Sequence, residues 1–402
     1  MCAADGSPAG LLPLRLAFLT ALVPVARPDT GFEIANAAIL DALRGAGHEV
    51  TAFGFLRPGE EPADPDRSRI IARTEIENAV ASPGLRLRWI AAALRLRLPV
   101  ACAKLRLAGA GRLVETVRAE GPFDAIVLNS VMLPGAFPDL LRLAPCLLVE
   151  HNIEYVSAGQ SANHARNPVL KRLYRREARL LEQIERRLWR DCRFVWTLAE
   201  EDRAALGPAL AARSAALPLL PVAAAPETAA VAEPEPAHDV GLIGTWTWTP
   251  NFIGLDWFLR EVCPLLPPDV TVAVAGRLPP GVTAPPGVRF LGRVPAADAF
   301  LRSCRIVALT SRAGTGVQLK TVEALALGLP AVATPLSCRG FSDMPANVTQ
   351  AEDPRAFADE LVARLAAIRA GDRQRLNGAA FLDRQRQALA EGLERGLAAA
   401  RA

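Results

Sequence analysis

Between Arg305 and Thr334 the chain reads RIVALTSRAGTGVQLKTVEALALGLPAVAT. An apolar run with the look of a buried strand ends in a loop that holds Gly314 and Gly316, and a helical stretch over Val317–Leu327 follows at once. Glycines let the backbone come close to a ligand, and the unpaired N–H groups and positive dipole end of a helix start suit an anion such as a diphosphate. The helix is apolar almost all round, through Val317, Leu319, Val322, Leu325 and Leu327, which predicts burial. Lys320 and Glu323 interrupt that surface three residues apart, on one face and one turn inside the helix start. A buried charge without a partner is costly. Either the two pair with each other, or Lys320 meets a phosphate oxygen and Glu323 accepts hydrogen bonds from two sugar hydroxyls. Lysine occurs three times (Lys104, Lys171, Lys320) among 46 basic residues, which favours a specific task for Lys320.

Such a loop needs a sheet to carry it. Short apolar runs bounded by Gly, Pro, Asp or Asn predict strands at Leu16–Leu22, Glu49–Phe55, Asp124–Asn129, Cys146–Glu150 and Phe194–Leu198. Helical stretches lie between them at Glu33–Arg44, Gly111–Arg118 and Leu170–Arg190. The Pro/Ala-rich segment from Ala216 onward has no period and reads as a linker over 216–238. The alternation then restarts, with strands at Asp239–Ile243, Val270–Ala275, Val288–Leu291, Arg305–Leu309 and Ala331–Ala333. Helices follow at Gly254–Cys263, Ala296–Ser303 and Pro354–Ala370. Continuous rather than alternating apolar strands imply parallel sheets covered on both faces. The expected α/β architecture is therefore two doubly wound, Rossmann-like domains, 13–215 and 239–380, facing each other across a cleft that would hold a ligand. A last helical stretch, 381–402, has no sheet of its own and can pack back on the first domain.

Composition narrows the function. The 402 residues carry a net charge of only +4, which argues against a nucleic-acid partner. Seven scattered cysteines without a C-x-x-C pair read as reduced, buried thiols of a cytoplasmic protein and leave no cysteine zinc cluster. The one D-x-D pair, Asp64 and Asp66, brackets Pro65 in a loop and is a poor metal site. Leu11–Ala26 lacks the basic start of a signal peptide, and prolines break Ala204–Ala225, so neither reads as a membrane segment. Two stretches are strongly basic, Leu85–Leu107 and Arg166–Arg193. They are either solvated helices balanced by local acids such as Glu177, Glu182 and Glu185, or a surface that rests on anionic lipid at the inner face of a membrane.

The motif at Gly314, Gly316, Lys320, Glu323, Ala324, Ala326, Gly328, Pro330, Val332, Ala333 and Thr334 resembles the donor-binding signature of GT-B glycosyltransferases, in the group 1, family 4 branch. The likeness extends to Gly244, Trp248, Pro250 and Asn251, to the pair Gly276–Arg277 with Gly292 and Val294, and to His151, Asn152 and Glu154 in the first half. Gly47–Thr51 is similar to the end of the family's first helix. Two departures stand out. Thr315 occupies the first glutamate position of the family's E-x7-E, and 245–251 holds no basic residue.

The resemblance implies transfer of a sugar from a nucleotide-diphosphate sugar to a glycan, lipid-linked or small-molecule acceptor, with retention and without a metal or other cofactor. His151, Lys320 and Glu323 would then be catalytic. Gly31, Asn251, Arg277, Arg312, Gly314, Thr315, Gly316, Val317 and Gln318 would line the donor site with Lys320 and Glu323. Trp246 and Trp248 flank a loop at the cleft, to stack on a base or sugar or else to pack in the core. Competing readings are a nucleotide-sugar epimerase of the same architecture and a non-catalytic binding or assembly protein derived from a transferase. A nicotinamide-dependent oxidoreductase would need G-x-G-x-x-G after the first strand, where a single glycine stands.

Overall fold

The computed structural model describes residues 12–401 except Asp29, 78–79, Ala110, Arg166, 222–235, Thr315, 342–343 and 373–374. The middle of the expected linker, and Thr315, therefore lie outside the described residues. Among the described residues, thirteen strands form two sheets. The first contains β1 (Arg15–Leu22), β2 (Glu49–Leu56), β3 (Ser68–Arg73), β4 (Ala125–Asn129), β5 (Cys146–Glu150), β6 (Phe194–Thr197) and β7 (Ser214–Ala216), in the order β3-β2-β1-β4-β5-β6-β7. The second contains β8 (His238–Ile243), β9 (Val272–Ala275), β10 (Val288–Gly292), β11 (Cys304–Leu309), β12 (Ala331–Ala333) and β13 (Val348–Gln350), in the order β10-β9-β8-β11-β12-β13. Every neighbouring pair within the two sheets is parallel.

The strands form where they do because their side chains are buried on both faces. In β4 and β5 every residue is inaccessible, as parallel strands sandwiched between helices require. Three edge strands, β3, β7 and β13, stand where the sequence gives no strand pattern: β3 is half exposed, and the other two are three residues long. The linker begins later than its composition suggests, because β7 reaches Ala216 and Leu217 and Leu219 are buried beyond it.

The final helix, Ala379–Arg401, crosses back to the first domain. Phe381, Leu389, Leu393 and Leu397 share a core with Leu16, Phe18 and Trp196, and the Trp196 indole N–H donates to the Gly392 carbonyl at 2.8 Å. Helix Pro354–Arg369 stays with the second sheet through Phe357, Leu361 and Leu365.

Candidate functional site

Strand order reverses at β1 in the first sheet and at β8 in the second, so each sheet opens a crevice at its carboxyl edge. In the second domain the crevice lies between the loop after β8 and the loop after β11. The helix that follows the second loop, Leu319–Ala326, has two functional faces. Val322 and Leu325 are buried in the core that belongs to the first domain, and Leu319 lies against Gly31 of that domain. Lys320 and Glu323 take the opposite face, toward the β8 loop and Asp298.

Lys320 is buried, with Nζ 3.5 Å from Asn251 Oδ1 and 5.8 Å from the centroid of the Trp246 ring. Trp246 is fixed by its own N–H, which donates to the Ala275 carbonyl at 2.8 Å, and Asn251 is oriented by donating to the Thr245 carbonyl at 3.2 Å. Burial alone pulls the Lys320 ammonium down to about 8. Glu323 is pushed up to about 7, by burial first and by the Asp298 carboxylate second. The i,i+3 pair that the spacing permits does not form: among the described residues neither side chain makes an ion pair. An ammonium and a carboxylate thus share one face of a buried helix, each destabilised in its charged form, as a ligand-receiving pair would be.

Of the two tryptophans of the β8 loop, Trp246 is core, whereas Trp248 is 44% exposed and its ring edge lies close to Gly314. Arg277, just past β9, is exposed at the same edge. Arg312 turns away: its guanidinium stacks over the Trp257 ring at 4.8 Å and donates to the Glu352 carbonyl at 3.0 Å. There it lines a separate cavity of about 670 Å³ shared with Glu201, Thr334 and Arg339. Gln318 is buried and accepts from the Ser311 hydroxyl at 3.1 Å, which ties the two ends of the loop, and Val317 packs toward the first domain beside Gly340.

On the first-domain side, sheet register brings the polar groups together. Thr20 on β1 is paired with Asn129 on β4, and His151 follows the end of β5. Asn36 Nδ2 donates to Thr20 Oγ1 at 2.8 Å and to the Leu22 carbonyl at 3.1 Å, so its Oδ1 accepts from Asn129 Nδ2. That leaves Asn129 Oδ1 to accept from His151 Nε2, 2.9 Å away. The chain of donors therefore fixes the imidazole as the Nε2–H tautomer. Burial brings its pKa down to about 4, so the ring is neutral, and it packs on Phe32 with centroids 4.9 Å apart. The following helix, Glu154–His164, is capped from a distance: Glu185 accepts from the Glu154 and Tyr155 amides at 2.6 and 3.1 Å.

The two domains meet at the glycine loop. Gly314 N–H donates to Gln160 Oε1 at 2.9 Å, and Gly316 N–H donates to Asp202 Oδ2 at 2.9 Å. Gly316 has φ 76°, and a Cβ there would strike the His151 carbonyl and Asn152 Oδ1, so only glycine fits. Asp202, itself inaccessible, also binds Arg339 of the second domain at 2.5 Å, and Glu201 accepts from the Gly340 amide at 3.1 Å. The loop amides that the sequence assigns to a diphosphate are thus held in this structure by side chains of the opposite domain. Gln160, Asp202, Asn129 and Asn36 are absent from the sequence reading. For Asn129 a signal existed, a polar residue closing an apolar strand; for Gln160 and Asp202 none did, because their partners lie over a hundred residues away.

Among the described residues no three His, Cys, Asp or Glu side chains are arranged to hold a metal ion, and Asp64 is engaged with Arg44 at 3.2 Å. No helix of the described chain is long and apolar enough to cross a membrane.

Comparison with known proteins bears on the second domain and on the fold. Residues 237–367 fit the family model described as Glycosyl transferases group 1. The matched residues make up most of the second domain, and the whole chain has a GT-B fold. Over the whole chain the fold is similar to sucrose-phosphate synthase from Thermosynechococcus elongatus, at 15% identity and a TM-score of 0.61, covering 95% of this chain and 96% of that one. It is also similar to HepE from Anabaena in complex with UDP and glucose, at 14% identity and a TM-score of 0.56, covering 96% and 99%. A search of curated protein sequences gave no match.

Proposed function

We propose that this GT-B chain is a glycosyltransferase that moves a sugar from a nucleotide-diphosphate sugar to a glycan, lipid-linked or small-molecule acceptor, with retention at the anomeric carbon and without a metal. The observation that carries this reading is the face shared by Lys320 and Glu323, two charges buried without a counter-ion at the switch point of the second sheet. The group 1 family model spans this face, and the similar HepE fold is one recorded with UDP-glucose bound.

In this scheme Lys320 holds a phosphate oxygen, and its ammonium offsets the negative charge that builds on the diphosphate as the C1–O bond breaks. Glu323 accepts hydrogen bonds from a pair of sugar hydroxyls. Trp248, exposed at the mouth, offers a face for the base, and Arg277 reaches the same edge. His151, neutral and held by Asn129 at the end of β5, contacts the transferred sugar or the incoming hydroxyl from the first-domain side. The acceptor oxygen bonds C1 from the side on which the diphosphate leaves, as the C1–O bond to the diphosphate breaks and the hydroxyl proton passes to the departing diphosphate oxygen. For the diphosphate to use the Gly314 and Gly316 amides, Gln160 and Asp202 must first let go. That occupied loop is the one observation that favours a second reading, a non-catalytic nucleotide-sugar-binding protein.

A thermal-shift screen of nucleotide sugars, followed by transfer or hydrolysis of the radiolabelled hit, tests both. The expected result is one stabilising donor, turnover that persists in a chelator, and loss of both signals in Lys320→Ala. Binding without turnover would favour the second reading, and no stabilising donor would overturn the first.

A further inference from the structure

The two basic stretches of the sequence come together on one surface, and that surface is not only basic. Helices Pro83–Leu96 and Val100–Gly109 form a hairpin, and the long helix Pro168–Asp191 is fastened to it. Arg176 donates to the Ala93 carbonyl at 2.8 Å and Glu177 accepts from the Val100 amide at 2.6 Å. Large hydrophobic side chains that ought to be buried gather here in the open: Leu87 is 68% exposed, Leu94 56% and Val169 74%, with Leu96, Leu107 and Leu170 beside them. Leu87, Ala91 and Leu94 form one stripe at i, i+4 and i+7, and Trp89 and Ala93 face the core instead.

Arginines border the stripe. Arg86, Arg88, Arg95, Arg97 and Arg106 are exposed on the hairpin, and Arg172, Arg175 and Arg179 on the long helix. Between Glu77 and Glu115 the chain has no acidic residue at all, and none of these eight arginines makes an ion pair among the described residues. The far end of the same long helix differs: Arg186 pairs with Glu182 at 2.9 Å and Arg187 with Asp191 at 3.2 Å. At the other end Arg176 is paired, with Glu177 at 2.7 Å, whereas Arg172, Arg175 and Arg179 make no ion pair among the described residues.

Position adds to chemistry. Glu185 already sits at the carboxyl edge of β5, where it caps the helix that starts at Glu154. The turns from Pro168 to Arg179 therefore overhang that edge, on the side where the cleft opens.

We propose that this face, the Pro83–Gly109 hairpin with the first turns of the long helix, docks on an anionic lipid bilayer, the arginines meeting headgroup phosphates and the exposed leucines entering the acyl boundary. Aliphatic side chains beside unpaired arginines fit that boundary; among the described residues a nucleic acid would find no exposed aromatic ring there to stack on.

Flotation of the purified chain with vesicles tests this, and needs no sugar donor, so its outcome is independent of the transferase reading. The chain is expected to float with phosphatidylglycerol-containing vesicles and not with phosphatidylcholine alone. The double variants Leu87→Glu/Leu94→Glu and Arg88→Glu/Arg95→Glu should each lower the bound fraction by about tenfold, and Arg186→Glu/Arg187→Glu on the paired end should leave it unchanged. Circular dichroism confirms that each variant is folded, and single Leu87→Ser serves if a double variant is not. Absence of wild-type binding to the anionic vesicles overturns the proposal. So does binding that the leucine variants leave intact, which would mark a purely electrostatic surface for some other polyanion.

Discussion

The two rims of the cleft treat polar groups in opposite ways. On the first-domain rim, Thr20, Asn36, Asn129 and His151 satisfy one another in a single directed chain, and nearby Arg57 lies 2.5 Å from both Glu33 and Glu77. On the second-domain rim, Lys320 has one long contact to an amide oxygen, and Glu323 makes no ion pair. A satisfied network rigidifies the backbone that carries it, whereas an uncompensated charge held by a rigid helix stores affinity for a ligand of opposite or complementary kind. The contrast predicts that substitutions on the first rim act on stability and those on the second act on binding.

The largest effect should come from the first rim. Asn129→Leu removes the acceptor of His151 and the donor to Asn36 in a fully buried setting, and should lower unfolding free energy by about 2–4 kcal/mol, read by chemical denaturation. A cost below about 1 kcal/mol would mean that the chain of hydrogen bonds is incidental. Lys320→Ala is the counterpart on the second rim. It should weaken donor binding by roughly 2–3 kcal/mol in calorimetry with little loss of stability, because it also removes a buried charge that folding had to desolvate. If the same substitution unfolds the protein and leaves donor affinity intact, the contrast between the rims is broken.

How far the sequence carried this picture follows from the range of each interaction. The central strands were legible because burial on both faces writes itself as a continuous apolar run, as in AIVLN and CLLVE. The edge strands β7 and β13 were not: three residues carry no period, and they are held by the neighbour they pair with. Lys320 and Glu323 were legible because a charge in an apolar helix is conspicuous, and Gly314 and Gly316 because of the turn they allow. That Arg312 would choose Trp257 and Glu352 was not, since only folding brings those sequence-distant partners to it. Asp202 and Gln160 were invisible for a different reason. Each looks like an ordinary surface residue of its own helix, and only the docking of two domains gives it a partner.

The shifted pKa values sharpen the comparison further, with a smaller effect. Glu323 accepts from two hydroxyls only as a carboxylate, so affinity should fall as pH drops below about 7. Lys320 attracts phosphate only as an ammonium, so affinity should also fall as pH rises above about 8. Calorimetric donor affinity should therefore peak between these values and weaken by up to about tenfold for each unit outside them. Glu323→Gln should flatten the acid limb and keep the alkaline one. His151, already neutral across this range, should contribute to neither limb.

The smallest effect concerns the contact between the rims. Asp202 presents a carboxylate to the Gly316 amide, the same amide that a donor diphosphate would use, and Arg339 holds that carboxylate in place. The contact is in effect an internal anion, so donor binding must displace it, and its strength is subtracted from the donor's own affinity. Asp202→Asn keeps the shape and a hydrogen-bond acceptor but removes the charge, which releases Arg339 and weakens the clasp. Donor affinity should rise by about threefold, while the unfolding free energy falls by about 1–3 kcal/mol because Arg339 loses its buried partner. If affinity instead falls with stability, Asp202 holds the loop in its receptive shape, and the clasp belongs with the rigid first rim rather than opposing the second.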